Sequence, residues 1–240
     1  MKPGHVQTAL VRRHGALTGH CPFFSVALAL ALTLVAVPFA LARNPLLLAD
    51  PAAPLAAAWT HQRFGAATEY TGVVLDGVAA IRAIGRNSAS GLYREFSYRV
   101  TEHPWIEWTW RVDKLQRTAD IRVKAKEDYA AALFLIFGRP SRVNRDVPTL
   151  AYVWTSARNP EGAIVDSPYH PGTTRNLVVR SGEGELGRWV RERRNVVDDF
   201  RLAFGREPPE NLEVIAFFTD NDQTGEPVEA YYGAVRALPQ

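Results

Sequence analysis

A single cysteine, Cys21, is all the thiol that this 240-residue chain possesses. It lies in the N-terminal stretch, so the rest of the chain cannot form an internal disulfide and cannot use thiol catalysis or cysteine-ligated zinc and iron–sulfur sites. Its position ahead of the main apolar run also argues against a lipoprotein anchor. Equally absent are a Gly-x-Ser-x-Gly elbow, a phosphate loop, a dinucleotide fingerprint and a His-Glu-x-x-His helix, the commonest local signals of esterases, nucleotide enzymes and zinc proteases. His103 and His170 each precede a proline in a loop, which suits structural loop histidines better than ligands or bases. The chain carries no internal repeat, low-complexity tract or evident linker.

Excess charge is scarce too. The first 42 residues hold Lys2, Arg12 and Arg13 and no acid, so the 28 basic residues less these three leave 25 against 25 acidic. The basic pI of about 9.1 therefore belongs to the leader, and a neutral remainder gives no general reason to expect nucleic acid or an anionic membrane as partner.

What is present begins with that leader. Arg12-Arg13 precede the uncharged run from Phe23 to Leu41, and Ala40-Leu41-Ala42 offers the small-x-small pattern of a cleavage site. Residues 1–42 read as a signal peptide and 43–240 as one domain, periplasmic or secreted after cleavage. The competing reading is an uncleaved anchor, because the run is nearly long enough to span a bilayer. The membrane would then be met only through this segment.

Beyond it, strand signals dominate. Asn44 to Pro54 reads as an exposed lead-in, and Leu55 to Phe64 as a short helix that packs Trp59 and Phe64 onto the body. Glu69 to Leu75 and Val78 to Ile84 flank Asp76-Gly77, a dipeptide suited to the positive φ angles of a type I′ hairpin turn. Asn87 to Gly91 reads as a loop, and Leu92 to Val100 as a strand. Trp105 to Arg111 alternates cleanly, with Trp108, Trp110 and Val112 on one face and Glu107, Thr109 and Arg111 on the other. The apolar run from Tyr129 to Phe137 predicts a strand buried on both faces. Leu150 to Thr155, Asn176 to Arg180, Trp189 to Val196, Glu213 to Phe218 and Ala230 to Val235 bring the count to about ten. Asn195 and Gly205 frame a helix over Val196 to Phe204 as N-cap and C-terminal stop. Long loops are expected at 141–149 and 158–174. The pattern predicts an all-β fold, an antiparallel β-sandwich of jelly-roll type with one short inserted helix.

Several segments occur in an order that resembles a known family: Ser88 to Leu92, Trp108-Thr109-Trp110-Arg111-Val112, Asp128-Tyr129-Ala130-Ala131, Tyr152-Val153-Trp154, Asp199-Phe200 with Phe204-Gly205, and Thr219-Asp220-Asn221-Asp222. The chain is similar to the bacterial exported proteins of domain-of-unknown-function family 3047. The resemblance implies a β-sandwich behind a signal peptide and brings no activity with it. Two positions depart from the family pattern: Ala132 stands where an arginine is expected, and Asp220-Asn221-Asp222-Gln223 where Asp-Thr-Asp-Asn is.

Four signals carry chemistry. Asp220 and Asp222, two residues apart with Asn221, Gln223 and Gly225 around them, suit a hard cation such as a structural calcium, although the spacing to Glu226 departs from a full calcium loop. The competing reading is a polar turn. Glu107, Asp113, Asp120, Glu127 and Asp128 supply carboxylates for a glycosidase-like pair, against the ordinary fate of charged strand edges, which is solvation. Arg188, Arg191, Arg193 and Arg194 surround Trp189, but alternation divides them between two faces, which favours a salt-bridged sheet over an anion site. The aromatics offer a platform for sugar rings or a core; Trp108 and Trp110 suit the core, Trp105 and Tyr169 the surface. The residues expected to bind a ligand are therefore Glu107, Arg111, Asp128, Trp105 and Tyr169, with Asp220 and Asp222 for a metal and no catalytic residue assigned. The leading expectation is an exported non-catalytic domain that binds a saccharide or cell-envelope component. The alternatives are a carbohydrate-active enzyme with paired carboxylates and an envelope scaffold.

Overall fold

The computed structural model describes residues 44–139 and 147–240. The expected leader lies outside them, as does most of the expected loop at 141–149. The strands are Leu46–Ala49 (β1), Thr60–Arg63 (β2), Glu69–Leu75 (β3), Val78–Gly85 (β4), Ala89–Arg99 (β5), Trp105–Lys114 (β6) and Ala131–Ile136 (β7). Thr149–Thr155 (β8), Ile164–Asp166 (β9), Thr174–Ser181 (β10), Val190–Asn195 (β11), Asn211–Asp220 (β12) and Val228–Leu238 (β13) follow. Two helices, Leu55–Ala58 (α1) and Val196–Phe204 (α2), complete the elements the site depends on.

The strands form a two-sheet sandwich of jelly-roll type. One sheet runs β11-β6-β13-β4-β3, with β1 on the far end of β13; the other runs β2-β5-β12-β7-β8-β10-β9. Every pairing is antiparallel except β8 with β10, which run parallel and are joined by the long connection containing β9. The inner wall is aromatic. Trp108 lies flat on Tyr152 across the gap, ring centroids 5.0 Å apart, and Trp110 meets Trp154 at 5.9 Å. Trp108 and Trp110 are fully buried while Glu107, Thr109 and Arg111 face outward, as the alternation predicts. Burying an indole removes about 150–250 Å² from water, roughly 4–6 kcal/mol gross for each.

Local signals place several elements. Asp76 and Gly77 take φ of 52° and 77° between β3 and β4. Asn195 Oδ1 accepts from the amides of Val197 and Asp198, and Gly205 adopts φ 67° at the end of α2.

Other expectations are corrected. The lead-in is not free: Leu46 and Leu47 pair with Ala237 and Arg236, because Pro45 and Pro51 flank the short strand without interrupting it. The helix expected to Phe64 stops at Ala58. Pro54 supplies no side-chain cap, and Thr60–Arg63 pairs with β5 instead. Trp59 is buried, whereas Phe64 is 69% exposed. The loop expected over Asn87 to Gly91 ends at Ser88, because Ser90 and Gly91 already pair with Thr219 and Phe218 of β12. Asp220 is correspondingly the last residue of β12, in register with Ala89, and not part of the following turn.

Candidate functional site

Period-two alternation gives the seven-stranded sheet a second apolar face. Leu133, Leu135, Tyr152, Trp154, Ile215 and Phe217 enter the sandwich core. Ala132, Phe134, Ala151, Val153, Val178 and Phe218 point outward into a separate cluster with Tyr129 and Ile121. Alanines at 132 and 151 leave depth between the larger side chains. The stretch before β7 and the β8–β10 connection lie over this face and leave a cavity of about 530 Å³.

Its apolar wall is Phe64, Phe134, Ile136, Val147 and Phe218. Phe134 and Phe218 stack nearly parallel at 5.5 Å, and Phe64 leans on Phe218 at 5.8 Å. The room this needs is made at Gly91, where a Cβ would sit 2.9 Å from both the Phe218 ring and the Phe217 carbonyl. The polar end is Glu127, Tyr129, Asp220, Asp222 and Gln223, and Ser167, Tyr169, His170, Thr173 and Thr174 border it.

The polar end is stapled from both sides. The Tyr129 amide donates to Asp220 Oδ1 at 2.7 Å, while Asp128 accepts from the amides of Gln223 at 3.2 Å and Thr224 at 2.7 Å. These bonds hold the turn after β12 against the entry to β7. Carboxylate oxygens of Asp128, Asp220 and Asp222 consequently lie within 4.8 Å of one another. Glu127 Oε1 accepts from the Tyr129 hydroxyl at 2.7 Å and from Ser167 Oγ at 2.8 Å. Among the described residues, none of these four acids makes a salt bridge. Burial pushes the carboxyls of Glu127 and Asp128 above the usual range, and drives Asp220 well above it, with Asp128 adding repulsion.

The expected site residues divide between two sheets. Asp128, Tyr169, Asp220 and Asp222 come together here; Tyr169 is 43% exposed and carries Lys124 Nζ 4.7 Å above its ring. Trp105, Glu107 and Arg111 stand on the outward side of β6 in the other sheet. There Glu107 pairs with Arg191 at 2.6 Å, Arg111 with Asp113 at 2.6 Å and Asp76 at 2.8 Å, and Trp105 lies beneath Arg193 at 4.7 Å. Arg194 turns the other way to Asp199, so the arginine cluster is divided as expected. Asn221, counted among the calcium donors, is turned away: its amide bonds Ser88, Gly85 and Glu226. Glu226 instead accepts from the Arg117 and Thr118 amides. Phe134, Phe218, Ser167 and the role of Glu127 were not legible as a site. Each sits in an ordinary strand or loop context, and only the sheet order brings them together.

A family model described as "Protein of unknown function (DUF3047)" matches residues 57–236. No curated protein matches the chain. Among solved structures, the chain is similar to the family 11 carbohydrate-binding module of the cellulosomal cellulase Lic26A-Cel5E of Clostridium thermocellum, at 10% identity and a TM-score of 0.42, covering 83% of this chain and 96% of that one. The same module with a β-1,3-1,4-mixed-linked tetrasaccharide gives 10% and 0.40, covering 81% and 95%. The endoglucanase cel12A from Rhodothermus marinus gives 13% and 0.43, covering 76% and 96%.

Proposed function

The chain belongs to the family described as protein of unknown function DUF3047, and from the site itself we propose that it is an exported, non-catalytic domain that binds a saccharide in the outer-face cavity. The observation that carries this reading is the pairing of a phenylalanine wall with a carboxylate end in one cavity of about 530 Å³. That volume falls in the range of small-ligand pockets, about 300–1,000 Å³. A pyranose has C–H faces that pack on aromatic rings and hydroxyls that donate to carboxylates. Phe134 and Phe218 supply the first surface; Glu127, Asp220 and Asp222 supply the second. The reading of residues 1–42 as a signal peptide supports export, which would bring such a domain to envelope saccharides.

A second reading has its own observation. Asp220 has a strongly raised pKa and lies close to the exposed Asp222, both on the cavity. A carboxyl whose acid form is favoured by burial, with a second carboxyl beside it, is what a glycosidase acid and its partner require. Glycan-array binding of the purified full-length chain, with and without calcium, tests the first reading: immobilised saccharides are retained unchanged. No saccharide bound in either condition would overturn it. Release of reducing ends from a bound glycan would transfer the site to the enzyme reading.

A further inference from the structure

The cavity presents three carboxyl groups that form no ion pair among the described residues. Glu127, Asp220 and Asp222 all line it, and each has one oxygen engaged by the protein: Glu127 Oε1 by Tyr129 and Ser167, Asp220 Oδ1 by the Tyr129 amide, Asp222 Oδ2 by the Gln223 side chain at 2.9 Å. The second oxygen of each has no hydrogen-bond donor among the described residues. Lys124 and His170 are the cationic and titratable neighbours; Lys124 packs on Tyr169 without reaching a carboxylate, and His170 lines the cavity beside it. The polar end therefore offers more acceptor oxygens than the fold itself consumes.

We propose that this end of the cavity receives a protonated amino group, and hence that the saccharide is an amino sugar with a free amine. An ammonium has three N–H donors and no acceptor, which matches three open carboxyl oxygens, and its charge favours the ionised form of each acid it meets. The aromatic wall suits the rest of such a ring, and aromatic faces near the site add attraction for a cation. Calcium fits less well. It needs six to eight oxygen ligands, and here both oxygens of Asp128 already take backbone amides while the Asn221 amide is turned elsewhere. The inference rests on the cavity being a saccharide site.

Calorimetric titration of the full-length chain with glucosamine trisaccharide, its N-acetylated form, cellotriose and a linear diamine tests it, at mildly acidic pH where the amines are protonated. The expected result is binding of the free-amine sugar at least about tenfold tighter than the other three, which is the worth of one charge-assisted contact. Asp222→Asn should remove that preference with an unchanged melting profile, whereas Asp198→Asn on α2 should leave it intact. Equal binding of cellotriose would overturn the amine and leave the saccharide reading standing. A diamine bound as tightly as the sugar would overturn the saccharide, and no binding at all would overturn both. Calcium bound alone, lost in Asp222→Asn and not displaced by the amino sugar, would assign the carboxylates to a metal and overturn the inference.

Discussion

Asp199→Ala should be among the most damaging single changes outside the aromatic core. Asp199 lies in the first turn of α2, 6% exposed. It accepts the Tyr152 hydroxyl at 2.9 Å and Arg194 through Nε at 2.9 Å and Nη2 at 2.5 Å, tying the helix to the middle of one sheet and the edge of the other. Truncation leaves the wholly buried Tyr152 hydroxyl without an acceptor, about 1–3 kcal/mol. Arg194 is 37% exposed at its side chain, so its lost partner is discounted to about 1 kcal/mol. The sum is about 3 kcal/mol, and a domain of this size loses about 2–4 °C of Tm per kcal/mol, or roughly 6–12 °C. Thermal melts followed by circular dichroism at neutral pH read this directly. Adding Tyr152→Phe should recover part of the loss, since no orphaned hydroxyl then remains. A single variant within about 2 °C of wild type, or a double variant whose costs simply add, would refute the reasoning.

Glu229 offers a pH test. Burial pushes its carboxyl upward, but hydrogen bonds from Tyr231, Lys114 and Arg82 outweigh this and bring it to about 2 from 4.5. A depressed carboxylate stabilises the fold above its unfolded pKa and loses that contribution as pH falls through the folded one, so Glu229→Gln should cost about 2 kcal/mol at pH 7 and almost nothing near pH 2. Denaturant titrations at the two pH values check it. Asp220 has the opposite sign: its raised pKa favours the protonated form, so Asp220→Asn should raise Tm at neutral pH, with the gain vanishing below about pH 4. At Gly233 an added Cβ would collide with Thr109 Oγ1 and approach its carbonyl at 3.1 Å, so Gly233→Ala should cost about 1–3 kcal/mol and be partly rescued by Thr109→Ala in paired melts.

The legible features were those whose cause is local. Alternation decided the two faces of β6, Asp76-Gly77 decided its hairpin, and Asn195 and Gly205 bounded α2, because each acts within a few residues. The strands at Leu46 and Thr60 escaped because a four-residue strand is defined by its partner, and those partners lie far along the chain. The site escaped for the same reason in stronger form. Tyr129 and Asp220 meet across 91 residues, and the phenylalanine wall draws on β7, β12 and the end of β2. Asp220 and Asp222 were legible as a local acidic pair. That they face Phe218 and Glu127, while Glu107 and Arg111 neutralise themselves on the other sheet, depends on sheet order alone.

The central claim is that the ligand enters at the outer face of the seven-stranded sheet. Titrating the best glycan from the array into isotope-labelled full-length protein, and following amide shifts by NMR, tests it most directly. Shifts concentrated at Tyr129, Tyr169, Thr174, Phe218 and Asp222 are expected. Shifts confined to Trp105, Glu107, Arg111 and Arg193 on the six-stranded sheet would contradict it.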